Sequence, residues 1–515
     1  MKRLLLLLLL LTPSAQAAGV QADWFDAAVE QAFTRYQLPG LAVGVIEDGK
    51  VAHVKTLGEL RAGSGDKVDA DTLFKIASNS KAMTAGVLAR LVDQGKLQWD
   101  DPVVKHLPQF RMHDDWVTQH MQVRDLLIHN SGLGAGAGDL MFWPEPNKYT
   151  RADIIRGLQY LKPKTSFRSG YAYDNSLYVV AGEVAVAAGG KPYDQLVREE
   201  LFTPLGLSRC QAGAWNRTQV GNVAVPHSRT RQGNRPLSES ADVPDETMLA
   251  AGGIRCSLND MLKWMGMWLD PQSTWLSAQQ RRAVWSAHTT MPVSQRMRDW
   301  DNSHFSAYGY GWRLSDVDGA WKVAHTGTLS GMYSSVILLP DLRVGIVILT
   351  NGEGDAMRTV LGEVLTKHYT APQQGATVAY YGDLLERESG GPAAPSRAPD
   401  TSKRVAGKPA QFAGLLGGYE DPWFGKATVC AVDGKVEFRA EKSPLLAGTL
   451  MRVGSRWLID WHDDEVDAEA WADFSLASDA KPASLKLALV DPDADFSYDY
   501  HDLDFVRRDD CPVSR

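Results

Sequence analysis

Residues 74–97 read FKIASNSKAMTAGVLARLVDQGKL. Ser78 stands just ahead of Met83, Val87, Leu88, Leu91 and Val92, apolar positions at helical spacing, and Gly95 supplies a stop. Lys81 follows the serine by three residues, which on a helix is the same face, with Cβ atoms about 5–6 Å apart. The start of a helix also offers free N–H groups and partial positive charge, which favour both an unprotonated amine and an oxyanion. The plain alternative is a capping serine followed by a solvent-facing lysine. The same spacing recurs at Ser64–Lys67 and Ser478–Lys481. Those pairs lie in "RAGSGDKVDA", a glycine-containing loop, and "ASDAKPAS", a turn, and neither precedes a helical pattern.

Outward from this segment the chain changes period. "LAVGVIEDGKVAHVKTLGE" is a hairpin turning at Asp48-Gly49. Helical stretches fill the middle. Then "YGYGWRLSD", "WKVAHTGTLSG" and "YSSVILLPDLRVGIVILTN" give strands in close succession. This order predicts an α+β layer fold closed by its two ends. After it, residues 388–410 are rich in Pro, Ala, Gly and Ser, as in a linker. Beyond lie short alternating runs: "ATVCAVDGKVEFRAE" around Asp433-Gly434, "GTLMRVGSRWLIDW", and a run through Leu485, Leu487 and Leu489 and on to Phe496, Tyr498 and Tyr500. They predict a small antiparallel sheet or barrel.

The N-terminus joins Lys2 and Arg3 to a leucine run and Ala15-Gln16-Ala17, the pattern of a cleaved secretory signal. The expected organisation is a signal peptide over 1–17, an α+β domain over 18–387, a linker over 388–410 and a β domain over 411–515. No other stretch is long and apolar enough to span a bilayer, so the mature chain is expected to be periplasmic or secreted. A net charge of −8 with scattered basic residues excludes nucleic acid and anionic lipid as obvious partners. Export permits disulfides. Within-domain pairing gives Cys210–Cys256 and Cys430–Cys511, with free buried thiols as the alternative for each.

Two further stretches bear on Ser78. "YAYDNSLYVVAGEVA" supplies Tyr173-Asp174-Asn175, and "WKVAHTGTLSG" supplies His325-Thr326-Gly327. In order, Ser-x-x-Lys, Tyr-x-Asn and His-Thr-Gly resemble the signature of serine penicillin-recognising enzymes. With "LLIHNSGL" (126–133), "LFTPLGL" (201–207) and "AAGGIRCSLNDMLKWM" (250–265), the chain resembles the branch holding class C β-lactamases, D-aminopeptidases and carboxylesterases, over roughly residues 20–370. The terminal segment resembles the small lipocalin-like barrel appended to some peptidases of that branch. The resemblance implies a β-lactamase/transpeptidase-like domain with an antiparallel sheet, flanking helices and a helical subdomain.

It also implies roles. Ser78 is the nucleophile that forms an acyl-enzyme. Lys81 or Tyr173 is the base, a choice left open, since both need their pKa lowered. Asn175 holds Lys81 and the substrate amide; its alternative is a helix N-cap. The backbone N–H groups of Ser78 and Thr328 form the oxyanion hole. His325, Thr326, Gly327 and Thr328 line the substrate. His325 departs from the lysine of the best-known members, which points away from β-lactams toward esters, amides or D-aminoacyl peptides. No cofactor or metal is implied. Asp491, Asp493 and Asp495 have calcium-loop spacing but lack the glycine and glutamate such a loop needs. The expected function is a serine hydrolase of small molecules or short peptides. A class C-like β-lactamase, a D,D-carboxypeptidase and a sensor that acylates once are the alternatives.

Overall fold

The computed structural model describes residues 17–390, 397–477 and 482–512. Residues 1–16 of the expected signal peptide, residues 391–396 of the expected linker and the Ser478–Lys481 pair lie outside the described residues.

The first part is built on an antiparallel sheet of eight strands: β1 (Gly40–Glu47), β2 (Lys50–Gly58), β3 (Thr289–Thr290), β4 (Ser306–Tyr308), β5 (Arg313–Val317), β6 (Ala320–Leu329), β7 (Met332–Leu339) and β8 (Val344–Thr350). Their order across the sheet is β2-β1-β8-β7-β6-β5-β4-β3. The opening hairpin therefore sits beside the last strand, with Leu41 opposite Thr350. Its turn carries φ of 48° at Asp48 and 76° at Gly49, the left-handed pair that a two-residue hairpin demands.

Both faces of β1 are buried, which is why its residues are almost all apolar. Leu41, Val43 and Val45 join the cluster under α1 (Ala17–Arg35), α5 (Asp355–Thr370) and α6 (Val378–Glu388). Ala42 and Ile46 join the opposite cluster, which holds α2 (Ser80–Asp93), α3 (Ser176–Gly189) and α4 (Leu258–Leu269). Helix α4 lies directly on β1 and β8. At Gly44 a Cβ would come within 3.0–3.1 Å of Leu262 and Leu258, so glycine lets the helix sit close.

The second part is a closed barrel: β9 (Gly417–Asp421), β10 (Gly425–Val432), β11 (Lys435–Ala440), β12 (Ala447–Val453), β13 (Arg456–Trp461), β14 (Ala470–Ser475), β15 (Ser484–Leu489) and β16 (Phe505–Asp509). The ring closes because β12 pairs with both β11 and β13, while β9 pairs with β16. Asp433 and Gly434 repeat the left-handed pair, at 48° and 77°. Both cystine pairs are formed, Cys210–Cys256 and Cys430–Cys511.

One expectation fails in the barrel. The alternation read through Phe496, Tyr498 and Tyr500 is not strand. Asp491 and Asp495 accept from the backbone N–H groups of Asp493 and Ser497. Such local bonds divert the backbone from a ladder. The segment becomes a loop between β15 and β16 that leans on the first part.

Candidate active site

Ser78 lies in a one-turn 3-10 helix, Ala77–Asn79, that runs into α2. From Thr72 to Ala89 every other residue is buried, and Ser78 alone is partly open. Three contacts fix the turn. Phe74 and Lys75 pair with Cys256 and Arg255. Ser334 Oγ donates to the Ile76 carbonyl at 2.7 Å. Asn79 Nδ2 donates to Ser334 Oγ at 2.8 Å. Ala77, just before the serine, has φ of 49°, a strained conformation for a residue with a Cβ.

Lys81 is fully buried. Its Nζ lies 2.7 Å from Asn175 Oδ1, 2.8 Å from the Ala251 carbonyl and 3.1 Å from Ser78 Oγ. The first two partners only accept, so they take two N–H bonds. The remaining position of the nitrogen faces the serine. In the ammonium it carries a third N–H; in the amine it carries the lone pair, ready for the serine proton. Burial pulls the Lys81 pKa down to about 7, aided by Arg313 and opposed by Asp139 and Asp174.

Asn175 directly precedes α3, yet its side chain makes no capping bond. Asp174 caps instead, its Oδ1 accepting from Leu177 N at 3.1 Å. Asn175 is free to bridge, with Oδ1 toward Lys81 and Nδ2 donating to Asp139 Oδ2 at 2.7 Å. The Tyr173 hydroxyl faces Ser78, and the Lys81 ammonium lies 4.9 Å from the Tyr173 ring centre. Burial lifts the Tyr173 pKa to about 12, against the lowering pull of Arg313 and Ser78. At neutral pH Tyr173 is a phenol, a proton donor or relay.

The third motif lies on β6. His325 is buried, with Nε2 2.8 Å from Tyr308 OH and Nδ1 2.7 Å from the Thr326 carbonyl oxygen. Burial holds it neutral, well below the usual histidine pKa, and the charges of Arg313 and Lys81 act the same way. Both ring nitrogens are thus engaged within the protein. The neighbouring cation comes from β5. Arg313 Nη1 donates to Thr326 Oγ1 at 3.2 Å, and its guanidinium carbon lies 5.9 Å from the Tyr173 ring centre. No carboxylate among the described residues pairs with it. Gly327 passes so close to the Ser78 turn that a Cβ would lie 2.2 Å from the Ile76 carbonyl oxygen. Thr328 is exposed and lines the pocket at Ser78 with Trp143, Met248 and Leu329.

The structure thus brings Ser78, Lys81, Tyr173 and Asn175 together, with Thr328 across the pocket and His325 and Thr326 behind it. Ser64, by contrast, sits in an exposed loop, bonded to Asp66 N, while Lys67 pairs with Glu59. Asp493 pairs with Arg397. Arg313, Asp139 and the Ala251 carbonyl also stand at this site, and the sequence reading assigned them no role. Arg313 lies in the strand run YGYGWRLSD and Ala251 in the 250–265 stretch, while Asp139 lies in neither.

A family model described as Beta-lactamase matches residues 25–369, and one described as Domain of unknown function (DUF3471) matches 401–507. Penicillin-binding protein 4 of Amycolatopsis lactamdurans is 28% identical over 376 residues, covering 70% of this chain and 96% of its own. D-alanyl-D-alanine-carboxypeptidase/endopeptidase AmpH of Escherichia coli (strain K12) is 24% identical over 339 residues, 64% of this chain and 83% of its own. Unguisins hydrolase ungD' of Aspergillus campestris (strain IBT 28561) is 27% identical over 354 residues, 67% of this chain; the match spans only 64% of that relative's length. Among solved structures, the octameric penicillin-binding protein homologue from Pyrococcus abyssi superposes with a TM-score of 0.60 at 18% identity, over 94% of this chain and 99% of that one. At that identity the likeness is one of fold.

Proposed function

The chain belongs to the beta-lactamase family, and we propose that it is an exported serine hydrolase that works through an acyl-enzyme at Ser78 on small amides, esters or short peptides. The observation that carries this reading is the Lys81 nitrogen, held by two acceptors with its remaining position aimed at Ser78 Oγ. With a pKa of about 7 it is half amine at neutral pH, where a general base works best. Lys81 takes the serine proton as Oγ attacks the substrate carbonyl. The N–H groups of Ser78 and Thr328 receive the oxyanion, a contribution of roughly 3–4 kcal/mol per donor. Lys81 or the Tyr173 phenol returns a proton to the leaving group, and water then attacks the acyl-serine by the reverse route. In this reading Lys81, not Tyr173, is the base.

Arg313 favours one substrate class within this reading. A cation beside Tyr173, bonded to Thr326 and without a carboxylate partner among the described residues, suits a substrate carboxylate next to the scissile bond. It stands in for the lysine that His325 replaces. That supports a carboxypeptidase-like activity on short peptides above an esterase, and it reopens turnover of carboxylate-bearing lactams. The leader and the two cystines support export to an oxidising compartment, and among the described residues no helix is long and apolar enough to cross a membrane. We place the hydrolase domain at 18–387 and the barrel at 411–515.

The test is turnover by the purified protein of a peptide ending in a free carboxylate, a D-aminoacyl anilide, a short-chain aryl ester and a chromogenic cephalosporin. Ser78→Ala should abolish turnover of all four, while Ser64→Ala leaves it intact. Residual turnover in Ser78→Ala would overturn the assignment. Stoichiometric acylation without turnover would make the protein a sensor.

A further inference from the structure

The loop that left the strand pattern carries a buried carboxylate into the first part of the chain. Asp499 lies between β15 and β16 and is fully buried. Its Oδ2 accepts from Gly138 N at 2.7 Å and its Oδ1 from Leu140 N at 3.1 Å. Those amides flank Asp139, which is also fully buried. Asp139 Oδ2 accepts from Asn175 Nδ2, and Asn175 Oδ1 accepts from Lys81 Nζ, each at 2.7 Å. The other oxygen of Asp139 has no hydrogen-bond partner among the described residues. Asp139 is therefore held in place by its backbone, and its backbone is held by Asp499. The same loop seats Phe496 edge-on to the Tyr173 ring at 5.8 Å. Gly136 admits it: a Cβ there would lie 2.6 Å from the Phe496 carbonyl oxygen.

We propose that Asp499 is a positioning residue for hydrolysis: the barrel's carboxylate clamps the 138–140 backbone so that Asp139 fixes Asn175, and Asn175 fixes the Lys81 nitrogen against Ser78. The barrel thereby completes the active site rather than accompanying it. This rests on the serine-hydrolase reading above. An asparagine at 499 keeps one acceptor and turns an N–H toward one of the two donors, so the clamp opens on that side. Lys81 then loses its fixed acceptor and gains water. Around it stand Asp139, Asp174, Arg313 and the Tyr173 and Tyr178 rings, with His129 and His325 held neutral in the same cluster. Asp139 faces Asp499 and Asp174, and Asp499 faces Asp502. With hydration restored, Lys81 moves back toward its ordinary value and less of it is amine at neutral pH.

The experiment uses the full chain and a short-chain aryl ester. Asp499→Asn should lower kcat by about 10–100-fold, change KM by less than about threefold, and move the acid limb of the kcat/KM profile to higher pH. Asp502→Asn, on the same loop and paired with Lys164 at 2.7 Å, should leave kcat and the limb within about twofold of wild type. Asp139→Ala should reproduce the loss of kcat, though it carries no limb criterion because it also removes a charge that raises the Lys81 pKa, and combining it with Asp499→Asn should add little to that loss, because both act on one chain of contacts. An unmoved limb with wild-type kcat in Asp499→Asn overturns the proposal. So does an equal loss in Asp502→Asn, which would reduce Asp499 to domain docking, and so does full additivity with Asp139→Ala. If Asp499→Asn does not fold, Asp499→Ser, which keeps an oxygen acceptor, is measured by the same criteria. Turnover in Ser78→Ala would sink the hydrolase reading itself; an inert Ser78→Ala beside a normal Asp499→Asn sinks this inference alone.

Discussion

Replacing Gly327 by alanine tests how the third motif serves the nucleophile. The added Cβ would lie 2.2 Å from the Ile76 carbonyl oxygen, 2.4 Å from Ser334 Oγ and 3.0 Å from Ala77 Cβ. Ordinary non-bonded contacts are about 3.5–4.0 Å, so β6 and the nucleophile turn must separate by about 1 Å. Overpacking of that kind costs about 1–3 kcal/mol, and losing the Ser334 bond to Ile76 adds about 1 kcal/mol. Together, about 2–4 kcal/mol, these are a substantial part of a stability of about 5–15 kcal/mol and correspond to a fall in Tm of roughly 3–5 °C for a domain of this size. Catalysis should suffer more, because Thr328 follows Gly327 and its N–H moves with the strand. Displacing an oxyanion donor lowers kcat by about 100–1,000-fold, with a smaller change in KM. Differential scanning calorimetry and ester kinetics on Gly327→Ala read both quantities. Gly170→Ala is the control, since nothing lies within 4 Å of a Cβ there. A Gly327→Ala protein with unchanged Tm and kcat would mean that β6 and the Ser78 turn are not in the contact described.

Three further outcomes are expected. The kcat/KM profile should rise through about pH 7, where Lys81 becomes an amine. Because the unfolded lysine stays protonated to its ordinary 10.5, the unfolded chain holds the extra proton between about pH 7 and 10.5. This group's contribution to stability therefore improves as pH rises through that window. Lys81→Met should be inactive yet melt higher than wild type at pH 6, the gap closing at alkaline pH; a gap that widens with pH refutes the shift. Replacing Cys210 and Cys256 by serine opens a 46-residue loop, a loss of about 4 kcal/mol by chain entropy, and should slow acylation because Cys256 pairs with Phe74 beside the Ser78 turn. Arg313→Gln should cut kcat/KM for a carboxylate-bearing peptide about 10–100-fold more than for a neutral aryl ester; equal losses would deny it a carboxylate-reading role.

Local grammar accounts for what could be read from the chain alone. Ser78 and Lys81 share a helical face, so spacing brings them together. Asp48-Gly49 and Asp433-Gly434 are turn pairs whose backbone conformation follows from residue type. Alternation in 411–489 leads to a barrel because period two buries one face of each strand. Arg313 and Asp139 escape such reading because nothing in their neighbours marks them; they matter through elements that meet only in the folded chain. The linker composition suggested a second part that stands apart. In the folded chain that part packs on the first, with one apolar cluster taking in Met83, Tyr149, Phe424 and Tyr500 and Tyr149 OH donating to the Phe424 carbonyl. In the loop at 491–502 the aromatic residues alternate like a strand, yet Asp491 and Asp495 bind the local backbone and keep it out of the ladder.

The place of β1 beside β8 bears on how the molecule comes into being. Thr350 Oγ1 donates to the Gly40 carbonyl across a separation of 310 residues. A growing polypeptide makes the first hairpin early, yet the strand that covers its inner edge is synthesised only after the whole helical region. Until then the apolar faces of β1 are open and its edge unpaired, which invites association between chains. Contacts so distant along the sequence also make for slow closure. Substitutions along β1 and β8 should therefore be felt first in yield and refolding rate, before any effect on the chemistry at Ser78.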